Sequence, residues 1–96
     1  SRQQEGLNKI EEKSSGIKLS IANSVWIQQD YAVIDTFLDI MKRYYKAGLH
    51  FTDFKRDTEM SRVKINVWTE EKTMHKIKEF IKRGILTYLT RMVLVN

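Results

Sequence analysis

Two histidines, His50 and His75, are the side chains best suited to proton transfer or metal binding, and neither has company at a useful spacing. His50 falls in an alternating stretch, "LHFTDF", so Asp53, three residues on, points to the opposite strand face. His75 follows Glu71 by four, which makes at most a pair on a helix surface. Zinc needs three or four converging ligands, and no third stands at metal-ligand spacing. Asp35 and Asp39 share one helix face and read as solvated charge rather than a carboxylate pair. Nucleophile-elbow, P-loop and G-x-G-x-x-G patterns are all missing. There is no cysteine, hence no disulfide and no thiolate ligand. The expectation is a protein that is not an enzyme and uses neither metal nor cofactor.

The remaining candidates are aromatic, amide and basic side chains. Trp26 and Trp68 are large apolar groups whose default role is packing, with a partner hot spot the alternative. Asn66 and Asn96 sit in apolar runs, where an unpaired amide costs about 1–3 kcal/mol. Read from the residues alone, Asn96 is the polar end of a strand. The net charge of +5 comes from 17 basic and 12 acidic residues. Bases and acids interleave, as in "EEKTMHKIKEFIKR", which favours a plain solvated surface. A weak polyanion (heparin-like) contact through Arg2, Lys9 and Lys13 is the sharper reading, and it predicts affinity that falls steeply with salt.

These residues need elements to hold them. Ile17, Leu19 and Ile21 alternate with Lys18, Ser20 and Ala22, and Val25 and Ile27 extend the pattern; period two predicts a strand over 17–28. Ile34, Phe37, Leu38, Met41, Tyr44 and Tyr45 recur at three and four, predicting a helix over 30–47 with Asp30 as N-cap. Gly48 is the expected left-handed stop. A short strand follows at 49–54, with Asp57 or Thr58 to cap the next helix. Met60, Val63, Val67, Met74, Ile77 and Ile81 keep a helical rhythm with a gap at Glu70. One long helix over 59–82 and a helix ending near Lys72 both fit it. "RMVLVN" closes the sequence as a strand at 91–96. Strand, helix, strand, helix, strand predicts helices laid on a sheet of at least three strands, an α/β or α+β class. No apolar run reaches the roughly 20 residues of a membrane helix, and the polar opening "SRQQEGLNKIEEK" is not a signal peptide.

Four stretches, in this order, resemble the serpins: "LSIANSVWIQQDY", "YYKAGLHFTDF", "SRVKINVWTEEKTMHKI" and "LTRMVLVN". The likeness covers nearly the whole chain from about Ile17 and is nearest to the ovalbumin-like branch. It implies a mixed α+β fold in which 17–28, 49–54 and 89–96 are strands two, one and the start of three of the large sheet A. It makes 30–47 helix E, 59–72 helix F lying across that sheet, and 73–88 a returning loop, against the single long helix. By this resemblance 1–96 is one partial serpin domain, a piece of a longer chain whose remainder completes the sheet.

The resemblance also implies a function and roles. The parent would be a secreted serine protease inhibitor, metastable, that works by conformational change: the protease cleaves an exposed loop, which inserts as an extra strand of sheet A. This stretch would supply scaffold only. A non-inhibitory serpin (carrier, storage protein or chaperone) and an independent small α/β binding module are the alternatives. A cytoplasmic home, as in ovalbumin-like serpins, is the alternative to an extracellular one. Asn96 would be the asparagine of the serpin shutter, with partners outside this stretch, while Asn66 and Trp68 would hold helix F in place. Two departures bear on local geometry. Where the family often has glycine before Lys76-Ile77, this chain has Met74-His75, and where an apolar residue usually follows the tryptophan, it has Thr69.

Overall fold

The computed structural model describes residues 22–96. The expected strand before Ala22, the turn at 14–16, and Arg2, Lys9 and Lys13 lie outside the described residues. The elements run β1 (Ser24–Gln28), α1 (Asp35–Tyr45), β2 (Leu49–Thr52), α2 (Thr58–Lys72) and β3 (Met92–Val95), with a single 3-10 turn at Lys46–Gly48 leading into β2. The sheet order is β2-β1-β3. β1 pairs in parallel with β2, placing Trp26 opposite His50, and antiparallel with β3, placing Trp26 opposite Val93. Two helices with a mixed three-stranded sheet make the fold α+β.

β1 is central, and all five of its residues are buried. Trp26, between Val25 and Ile27, already breaks the alternation that starts at Ile17, and a strand covered on both faces needs no polar side. Its face carrying Trp26 meets α2, where Trp26, Phe54, Ile65, Ile81 and Val95 form one apolar cluster with Trp68, Leu86 and Val93 against it. Gln28, 1% exposed, ends the strand. Its amide donates to Asp53 Oδ1 at 2.8 Å and its carbonyl oxygen accepts from the Lys55 backbone at 3.2 Å, so neither group is orphaned.

α1 begins later than expected. Asp30 is not its N-cap; the carboxylate stands 3.8 Å from Lys55 Nζ, and the helix starts after Ile34, whose carbonyl accepts from Leu38 N–H. Asp35 in the first turn and Lys42 and Arg43 in the last do suit the helix dipole. The predicted apolar stripe is only half covered. No residue of α1 is buried, and Ile34 is 73% exposed.

Gly48 is not a left-handed stop. The left-handed residue closing α1 is Lys46, at φ 52°. Gly48 is required by close approach instead: a Cβ there would sit 2.3 Å from the Asn23 backbone oxygen. β2 is shorter than predicted, ending at Thr52, and Phe54 is fully buried beyond it.

α2 ends at Lys72, so the long helix over 59–82 is overturned. The chain turns left-handed at Met74 (φ 55°) and His75 (φ 61°), and His75 N–H bonds back to the Glu70 carbonyl at 2.7 Å. The helix also shows the opposite face to the one the rhythm predicted. Ser61, Arg62, Ile65, Asn66 and Thr69 are buried, whereas Met60, Val63 and Val67 are exposed. Both sets recur at three and four. The polar set wins because it meets hydrogen-bonding partners that the apolar set lacks.

Candidate functional site

The features able to do something specific are gathered where α2 crosses the sheet. Three groups of contacts attach it. The first lies at its start. Thr52 Oγ1 on β2 and Ser61 Oγ on α2 share a buried hydrogen bond of 2.8 Å. Asp57 makes no side-chain cap; Thr58 Oγ1 donates instead to the Phe54 carbonyl.

The second joins α2 to the segment that returns over it. Asn66 Nδ2 donates to the Ile81 carbonyl at 2.9 Å, and Ile81 N–H donates to Asn66 Oδ1 at 2.8 Å. Arg62 Nη1 reaches the same carbonyl at 3.0 Å. Arg62 is 5% exposed, and a buried guanidinium must be paired. Its Nε and Nη2 donate to the two oxygens of Glu59 at 2.7 and 2.8 Å, a bidentate arrangement. That hydrogen bonding holds the Glu59 carboxyl below its ordinary value, and Arg62 and Arg83 add electrostatic attraction. A buried, charge-assisted clasp thus fixes the returning segment at Ile81.

The third is aromatic. The His50 ring stacks on Trp26, centroids 4.1 Å apart and planes within 16°. Trp68 from α2 stands edge-on to both, at 6.3 Å from Trp26 and 5.5 Å from His50. Trp26 Nε1 is satisfied by Ser24 Oγ at 2.9 Å. Lys72 Nζ lies 5.5 Å from the Trp68 ring centre, at cation–π range. A groove of about 420 Å³ opens beside this cluster, with Val63 and Val67 on its α2 wall.

The sequence candidates fall out as follows. Asn66 and Trp68 both stand in these contacts. Asn96 follows β3 directly and is exposed. His50 and Asp53 are not brought together: β2 ends at Thr52, and Asp53 beyond it is engaged with Gln28 and the Arg56 backbone, and the Gln28 bond is the main reason its carboxyl lies below the ordinary value. His75 pairs with Glu70, at 3.4 Å, and not with Glu71, because it lies past the helix end. Among the described residues, no three His, Cys, Asp or Glu are grouped to hold a metal ion. None of the described helices is long and apolar enough to cross a membrane. Sequence reasoning missed Arg62, Ser61 and the His50 stack. The signal for the first two was available: Ser61, Arg62, Ile65, Asn66 and Thr69 form a helical stripe of their own.

Comparison with known proteins fits this geometry. The family model described as Serpin (serine protease inhibitor) matches residues 1–96. A serpin-like protein of Methanosarcina acetivorans is 36% identical over 95 residues, covering 99% of this chain and 22% of its own. Human Serpin B13 is 36% identical over 93 residues, covering 97% and 24%. The solved structure of emu (Dromaius novaehollandiae) ovalbumin superposes with a TM-score of 0.76 at 31% identity, over 94% of this chain and 23% of that one. The chain therefore spans about a quarter of the length of the relatives it matches. On that footing α1 and α2 occupy the places of helices E and F, and β2, β1 and β3 those of strands one, two and three of sheet A. By family model, by sequence and by fold, the chain belongs to the serpin family.

Proposed function

We propose that residues 1–96 are one part of a single serpin domain, with no boundary inside it, and that the parent inhibits a serine protease by inserting its cleaved loop into sheet A. The chain itself catalyses nothing. It supplies strands one and two, the start of strand three, and the helix lying over them. The observation that carries this reading is the way α2 is fastened. Its buried face is largely polar beside the apolar cluster at Ile65 and Trp68: Ser61 bonds to Thr52 of β2, and Arg62 and Asn66 bond to the returning segment at Ile81. Such a contact can open and re-form, which a sheet admitting a new strand requires. The sheet order supports it as well. β3 is an outer strand among the described residues, and its outer side is where the remainder of the serpin chain, and in this reading the inserted loop, would join the sheet.

Within this reading Asn66, Trp68 and Arg62 hold α2 in place, and Asn96 serves in the shutter at the point where strands part. The half-covered stripe on α1 is covered by the remainder of the serpin chain. The test uses the full-length protein and a panel of serine proteases of trypsin, chymotrypsin and elastase specificity. An inhibitor forms a protease complex that survives boiling in detergent, and loop cleavage raises its melting temperature. Cleavage with neither a complex nor a rise in melting temperature overturns the inhibitory reading and leaves a non-inhibitory serpin.

A further inference from the structure

We infer that His50 makes the attachment of α2 proton-sensitive: protonating its imidazole loosens the helix from β1 and β2. The inference concerns the helix–sheet contact and goes beyond protease inhibition; it holds for an inhibitory and a non-inhibitory parent alike.

Nε2 of His50 is buried and has no hydrogen-bond partner among the described residues. A neutral imidazole tolerates this by keeping its proton on the other nitrogen. The imidazolium must carry N–H on both, so protonation places an unpaired donor inside the contact. Among the described residues, no carboxylate is placed to receive it. β1 presents Trp26, and β3 presents Val93 across from Trp26; neither is charged. On β2 itself the neighbours are Leu49 and Phe51, and Asp53 is turned away to Gln28. From α2 come Lys72, close to the Trp68 ring, and Lys64 and Glu71 at the groove beside the stack. Glu71 is exposed and makes no ion pair with His50 among the described residues.

One force opposes. A ring face attracts a cation, and His50 lies on the face of Trp26. Against it, burial first, and the Lys72 charge second, hold the imidazole below its ordinary value. The sign follows from linkage. The lifted helix leaves His50 near its ordinary value of about 6.5, so the lifted state binds the proton more readily. Docking is therefore at full strength above that pH and weakens as pH falls through it. The loss levels off once the docked ring is itself protonated. Each tenfold lower proton affinity in the docked state is about a tenfold shift toward lifting at low pH.

The experiment follows amide exchange of α2 in the full-length protein at pH 7.5 and pH 5.5, corrected for intrinsic chemistry, with α1 as internal reference. Protection over 61–72 falls at the lower pH, and α1 does not follow. His50→Phe keeps an aromatic ring in the stack and abolishes this pH dependence. Equal pH dependence in His50→Phe overturns the inference, as does constant protection in the unaltered protein. Direct titration of the His50 Cε1 proton by NMR gives a second reading that does not need the variant to fold. A midpoint at or above that of an exposed histidine overturns the proposal, and one below it supports it.

Discussion

Replacing Asn66 with alanine tests how the returning segment is held. Asn66 is 8% exposed and closes a reciprocal pair with the backbone of Ile81, itself 7% exposed. Asn66→Ala leaves the two Ile81 groups in different positions. The carbonyl still accepts from Arg62 Nη1 at 3.0 Å, so its loss is small. The N–H has no second acceptor, and a buried donor left unpaired costs about 1–3 kcal/mol. Alanine returns roughly 0.5 kcal/mol through its better helix propensity. The net expectation is a loss of about 0.5–2.5 kcal/mol. Asn66→Asp separates the two bonds, because it keeps an acceptor for Ile81 N–H while it replaces the donor with a charge close to Arg62. It should retain protection of the Ile81 amide, whereas Asn66→Ala loses it. Urea unfolding followed by tryptophan fluorescence measures the stability change, and amide exchange reads Ile81 directly. Should Asn66→Ala stay within about 0.5 kcal/mol of the parent, the range of a neutral surface change, with Ile81 still protected, the clasp is not where the segment is held.

Two further substitutions act on places where this chain departs from the family pattern. Thr69 is 1% exposed and its hydroxyl has no partner among the described residues, so isosteric Thr69→Val removes an unmet polar group. Urea unfolding should show a gain of about 1 kcal/mol, and a loss of stability would mean that the hydroxyl is bonded. His75 is held left-handed at φ 61°, where a side chain costs about 1–2 kcal/mol and glycine very little. His75→Gly also frees the unfolded chain, which takes back about 0.4–1 kcal/mol. The expected balance is a modest rise in melting midpoint, and a fall would show that the exposed Glu70 pair matters more than the backbone.

How far the chain could be read in advance depended on which force dominated each segment. The order of strands and helices was legible from where apolar residues gather: the run around Val25 and Ile27 that becomes the buried β1, and the half-covered stripe at period three to four in α1. Boundaries were less so. Asp30 has the chemistry of a cap, but the turn after Gln28 carries the chain five residues further before α1 starts. In α2 two stripes of equal period compete, and ranking by hydrophobicity chose the wrong one. Arg62 and Asn66 are buried because the Ile81 backbone, fifteen residues beyond Asn66, arrives to meet them. Helical period within 59–72 carries no trace of that arrival. His50 was set aside for lack of an acid partner. Its position is defined instead by two tryptophans, one across the sheet and one on a helix, which strand spacing cannot register.

The inward side of α2 is made mostly of serine, arginine, asparagine and threonine, and this sets the manner in which the helix can part from what lies beneath it. An oily seam peels gradually, losing a little with every ångström. A row of snap fasteners yields one stud at a time, and water refills each socket as it opens. A larger hydrocarbon side chain at Ser61 would turn a fastener into glue.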